Sequence, residues 1–90
     1  MTSSERLRYY ANLFPTIGER GTWAELQSIV AHGVESSGTQ HAARFLLNIW
    51  NGGLDGDDAF NIYDALGVWD EEHFRAFMWV LEDRWQNGGL

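Results

Sequence analysis

Seven carboxylates fall within eighteen positions of this chain, at Asp55, Asp57, Asp58, Asp64, Asp70, Glu71 and Glu72. Acids at that density suit two kinds of chemistry. They can ligate a divalent cation, or they can present the close-spaced negative charge that a cationic nucleic-acid groove accepts. The cation reading is weak. Asp55-Gly56-Asp57-Asp58 lacks the twelve-residue calcium-loop pattern, with its Gly at the sixth position and Glu at the twelfth. His32, His41 and His73 have neither the mutual spacing nor the Cys partners of a zinc site, since the chain has no Cys. No metal and no cofactor is therefore expected.

Nucleophilic chemistry has little to work with. There is no Cys, no Gly-rich phosphate loop and no G-x-S-x-G. His41 lies near Ser37 and Thr39, within reach of a hydrogen bond, and Asp70 stands three residues before His73 as a local cap partner. Neither pair makes a catalytic constellation, and an enzyme is not expected from a chain too short for a deep, water-excluding pocket.

The charge distribution is more informative. Residues 1–45 balance four Glu against four Arg, whereas residues 46–90 hold nine acids and two Arg, so the whole net charge of −7 sits in the second half. Between Arg44 and Arg75 there is no basic residue. Part of this has a structural origin, because Asp57 or Asp58, Asp70, Glu71 and Glu72 stand where helix caps and dipole partners belong. Helix caps do not explain the missing Lys and Arg, since helix surfaces ordinarily intersperse both signs. A one-signed surface selects a basic partner and excludes direct nucleic-acid binding. Trp79 adds an aromatic candidate. A helical wheel sets it beside Glu72, Ala76 and Asp83, leaving two readings: packing against the first helix or a loop, or an exposed anchor that takes a partner's Arg by cation–π and carboxylate contacts.

These residues must be positioned by helices. Thr2 and Glu5 have capping-box spacing, and Leu7, Tyr10, Ala11 and Phe14 recur on one face of a helix over 4–14 that Pro15 ends. A second helix opens at Thr22, with Glu25 as box partner and Trp23, Leu26, Val30 and Val34 as its face, and breaks at Ser36-Ser37-Gly38. A third, over about 39–51, is apolar nearly all round apart from a narrow stripe of His41, Arg44 and Asn48; it should lie at the centre and end at Gly52-Gly53. A short helix capped by Asp57 or Asp58 runs through Phe60, Ile62, Tyr63 and Leu66 to Gly67. The last is capped by Asp70, with Trp69 stapled to Phe74 and a core face of Phe74, Phe77, Met78, Leu81 and Trp85, ending at Gly88-Gly89. No period-2 run long enough for a strand occurs. The expected fold is all-α, a compact single-domain bundle of four to five helices over residues 1–90, built around the central apolar helix. Thirteen aromatic side chains give so short a chain the apolar area it needs. No stretch approaches a membrane span, the N-terminus lacks the layout of a signal peptide, and a cytoplasmic location is the default expectation.

The segment Phe45-Leu46-Leu47-Asn48-Ile49-Trp50-Asn51-Gly52-Gly53, followed by Phe60-Asn61-Ile62-Tyr63-Asp64-Ala65-Leu66 and Trp69-Asp70, resembles an uncharacterised family of small helical proteins frequent on proteobacterial mobile elements. The match covers about half the chain and rests mostly on core and cap residues; Asn61 stands where that family carries an acid. The resemblance implies a context rather than an activity, namely phage and plasmid accessory proteins, among which small acidic inhibitors of host defence such as anti-CRISPR proteins are common. Two functional expectations follow. One is an inhibitor whose acidic face (Asp55, Asp57, Asp58, Asp64, Asp70, Glu71, Glu72 and Asp83, with Trp79 as anchor) occupies a basic nucleic-acid groove of a host defence complex. The other is a protein-interaction module, such as an immunity protein, an antitoxin or a complex subunit, joined through aromatic surface. The chain is expected to be a monomer or a homodimer, the latter hiding Trp79 and Tyr9.

Overall fold

A computed structural model describes residues 2–51, 53, 56 and 59–87. Five helices account for its secondary structure, with no strand among the described residues: α1 (Ser3–Leu13), α2 (Trp23–His32), α3 (Ser37–Asn51), α4 (Ile62–Val68) and α5 (Glu71–Gln86). The expected all-α bundle is the fold.

The helix starts follow local side-chain chemistry. Both capping boxes form, Thr2 with Glu5 and Thr22 with Glu25, each pair satisfying two backbone donors that a helix end leaves open. The Ser36 hydroxyl accepts from the Thr39 amide at 3.3 Å and its carbonyl from the Gln40 amide at 3.0 Å, starting α3 two residues earlier than expected. Asp70 caps α5 by accepting the His73 amide at 2.9 Å. Three other boundaries also differ from the sequence reading. Gly33, at φ +63°, terminates α2, so Val34 falls outside the helix and is exposed. Asn61, rather than Asp57 or Asp58, caps α4 through the Tyr63 and Asp64 amides. Gly67 lies inside α4, which stops at Trp69.

α3 is the hub, packed against each of the other four helices, and α1 also meets α5. Its Ala42, Ala43, Phe45, Leu46 and Leu47 are buried, while the stripe of His41, Arg44 and Asn48 is partly covered, as its narrow polar face requires. Around Phe45 lies an aromatic cluster. Phe77 stands 4.7 Å away and Phe60 5.3 Å, Trp69 packs 5.3 Å from Phe77, and Phe14 closes the side. Such pairs add roughly 0.5–1.5 kcal/mol each beyond the area they bury. The Trp69 indole N–H satisfies itself on the Gly38 carbonyl at 2.9 Å.

One contact is tighter than any side chain would allow. The α1–α2 loop turns back over α1 at Gly21, where a Cβ would stand 2.8 Å from the Ala11 Cβ and 2.9 Å from the Arg8 Cα. The same loop is anchored by Arg20, which pairs with Glu35 and donates to the Thr16 carbonyl at 2.5 Å.

The rotation of α5 departs most from expectation. Its buried face is His73, Ala76, Phe77 and Val80, whereas Phe74, Met78, Leu81 and Trp85 are exposed. Trp69 therefore packs on Phe77 and Phe60 instead of stapling to Phe74. The physical reason is proximity: Ala76 and Val80 let α5 come close to α1 and α3, which a face of Met, Leu and Trp would hold apart.

Candidate functional site

Among the described acidic residues, Asp83 stands apart from the rest. Asp55, Asp57 and Asp58 lie outside the described residues. Asp64, Asp70, Glu71 and Glu72 are exposed around α4 and the start of α5. Two of these have local duties: Asp70 caps α5, and Glu71 pairs with Arg75 at 2.6 Å. The Asp70 carboxyl is held below its ordinary range by the His73 amide and then by the His73 ring. Asp83 stands about 18 Å further along the helix and turns inward. It accepts the Tyr10 hydroxyl at 2.6 Å, with Arg6 at 3.7 Å. Burial, and then this carboxylate, push the Tyr10 phenol up.

Trp79 follows the packing reading and stays partly exposed. It packs against α1, 5.4 Å from Tyr9 and 6.4 Å from Tyr10, and keeps 42% of its surface open.

A second constellation was only half visible in the sequence. His73 Nδ1 bonds Asp70 at 2.8 Å, and its Nε2 lies 3.2 Å from the Thr16 hydroxyl. The Thr16 oxygen stands 2.5 Å from that of Thr39, which lies 2.9 Å from that of Ser36. The Asp70–His73 link follows from cap spacing, but nothing local brings Thr16 or Thr39 to it. Thr39 bonds Thr16 and Ser36 rather than His41, whose Nδ1 is buried without a hydrogen-bond partner. Carboxylate, imidazole and hydroxyl stand in the order of a nucleophilic triad. Acyl transfer also needs backbone donors aimed at a developing oxyanion. Here the neighbouring Ile17 and Gly18 amides are both spent on the Phe14 carbonyl, and His73 and Thr39 are buried. The chain of bonds ties the α1–α2 loop to α3 and α5. Among the described residues no group of three or more His, Cys, Asp or Glu is placed to hold a metal ion.

The outer face of α5 carries a row of exposed apolar side chains. Phe74, Met78, Leu81 and Trp85 are 41, 49, 39 and 86% exposed and lie in one row, with Arg75, Trp79 and Glu82 lining the same groove. Together the four expose on the order of 450 Å² of side chain, taking ~200 Å² for a large apolar residue, which is as much as the largest patch of a typical monomer. The chain matches no family model, no curated protein and no solved structure.

The sequence carries the signal for that face in a form easily misread. α5 has two apolar stripes, a large one at 74, 78, 81 and 85 and a smaller one at 73, 76, 77 and 80. Periodicity reveals both; the sequence reading places the larger stripe in the core together with Phe77, and of that set the structure buries Phe77. The choice turns on what α1 and α3 present, which no local pattern contains.

Proposed function

We propose that this chain is a protein-interaction module whose docking surface is the outer face of α5. The row of Phe74, Met78, Leu81 and Trp85 carries this reading, because a solvent-facing stripe of four large apolar side chains costs solubility unless something covers it. Aromatic residues and Met are the types enriched in the centres of interfaces, and the flanking Arg75 and Glu82 supply a polar rim. Affinity capture from extract of the encoding cell, run at low and at high salt, tests it. Partners should survive high salt and be lost with Leu81→Glu. An identical set of partners with wild type and Leu81→Glu would overturn the reading.

A second reading keeps the acidic surface as the business end: a stoichiometric inhibitor that occupies a basic nucleic-acid groove of a host defence complex. The exposed Asp64, Asp70, Glu71 and Glu72 favour it, since charge complementarity speeds association and makes binding salt-sensitive. Its test is the release of DNA or RNA from a purified complex, with charge reversal at Asp57, Asp58, Glu71 and Glu72. Undisturbed nucleic-acid binding, or inhibition that survives the reversal, would count against it.

A further inference from the structure

We infer that the occupant of the α5 face is a second copy of this chain, docked α5 against α5 in antiparallel orientation. The inference rests on the docking reading above and specifies the partner.

Three observations lead to it. The first is spacing. Steps of four, three and four residues separate Phe74, Met78, Leu81 and Trp85, the alternation that keeps an apolar seam facing a partner helix in a two-stranded coiled coil. The row is also symmetric about a point between Met78 and Leu81. A two-fold axis there sets Phe74 beside the second copy's Trp85 and Met78 beside its Leu81, each contact made twice, as an isologous interface requires.

The second is charge. Arg75 and Glu82 line the same groove on the same flank of the seam. Antiparallel pairing brings Arg75 of each copy alongside Glu82 of the other. Parallel pairing would carry this flank of the second copy to the opposite side of the seam, where Arg75 and Glu82 would meet neither each other nor their own duplicates. The Glu71–Arg75 pair within one copy is three-quarters exposed (75% for each side chain) and holds Arg75 only loosely, so Arg75 can turn to a second carboxylate.

The third is area. Covering the four apolar side chains, with parts of Trp79, Arg75 and Glu82, removes about 600 Å² per copy, or about 1,200 Å² in all, the lower bound for specific interfaces. Area alone does not set affinity, but an interface at this lower bound belongs with weak, reversible association. The net charge of −7 on each copy opposes assembly at long range, so added salt should tighten the dimer by screening that repulsion while leaving the apolar seam intact.

Sedimentation equilibrium of the full chain decides the matter. Between about 1 and about 300 µM, a span that covers weak association, the mass should rise from 10.3 kDa towards twice that value. Leu81→Glu should hold it at one copy. Trp85→Ser should do the same with no change in helical circular dichroism, because Trp85 has no part in the core. Arg75→Glu and Glu82→Arg should each weaken association roughly tenfold, and the double swap should restore it. A monomer at the highest concentration, or a dimer indifferent to both Leu81→Glu and Trp85→Ser, overturns the second-copy inference. A double swap no tighter than the single variants overturns the antiparallel register. The docking reading fails separately: a strictly monomeric chain that still captures a Leu81-dependent partner refutes only the dimer, and one that captures none refutes both.

Discussion

Gly21→Ala pits two effects of opposite sign against each other. Gly21 has no left-handed backbone angle, so an added methyl would ordinarily stabilise by about 0.4–1 kcal/mol through the unfolded chain. The folded state resists. The new Cβ would stand 2.8 Å from the Ala11 Cβ and 2.9 Å from the Arg8 Cα, well inside the ~3.5–4.0 Å at which carbon atoms attract. One obstacle is backbone, so no rotamer change relieves it. The loop must lift from α1, which carries buried Leu7, Tyr10 and Ala11, and overpacking of that kind costs about 1–3 kcal/mol. Strain wins, and the net loss is about 1–2 kcal/mol, or about 5–10 °C in Tm for a domain of this size. Urea unfolding followed by tryptophan fluorescence, with a thermal melt by circular dichroism, measures it. Adding Ala11→Gly should give no recovery, since the Arg8 contact remains. An unchanged or raised Tm in Gly21→Ala would refute the steric argument. Gly18→Ala makes a useful contrast: its site is open, and it should lose about 1 kcal/mol for a different reason, the left-handed backbone at φ +58°.

Three further outcomes are expected. Thr39→Val keeps the shape of a buried side chain but deletes the hydroxyl between Thr16 and Ser36, and should cost about 1–2 kcal/mol in a urea titration; Thr39→Ser, which keeps the oxygen, should lose less than Thr39→Val. Burial, then the nearby Arg44 charge, hold the His41 pKa below its usual 6.5, with Asp64 opposing. The folded state therefore binds this proton less readily than the unfolded one. Stability linked to His41 is fully present above pH 6.5 and is lost as pH falls from there through the lower folded-state pKa, and His41→Gln should flatten this part of the melting-temperature profile. Phe77→Ala should destabilise by about 3–5 kcal/mol, while Trp85→Ala should change stability by less than about 0.5 kcal/mol; comparable losses at the two positions would contradict the rotation of α5.

The starts of α1, α2 and α5 were legible because each cap is a local event, a side chain bonding an amide two or three residues on. Thr2, Thr22 and Asp70 carry that information within four positions. The centrality of α3 was legible for a similar reason, since a helix with only His41, Arg44 and Asn48 on its polar side has nowhere else to go. What failed involves choices between neighbours. Asn61 and the aspartates before it are all good caps, and local chemistry does not rank them. Two apolar stripes on α5 are equally periodic, and α1 and α3 accept the slimmer one. The Thr16–Thr39 contact spans 23 residues and Thr16–His73 spans 57, so no short-range pattern encodes either. The same limit applies to the site: an acidic cluster is conspicuous in a sequence, whereas an uncovered apolar face becomes visible only when the core has taken the other one.

The bond from Tyr10 to Asp83 bridges 73 positions, and that distance bears on how the bundle assembles. α2 and α3, adjacent in the chain and closely packed, meet by closing a short loop. Bringing α5 to α1 means closing nearly the whole chain, at an entropic cost about 2 kcal/mol greater than for a loop of about eight residues. The α2–α3 pair is thus the natural nucleus, and the α1–α5 clasp closes late and is the first to reopen. When it opens, α5 carries Phe77 away from Phe45. With the clasp open, the two stripes of one helix, the one inside and the one outside, are bared together, and in that form the chain is at its stickiest.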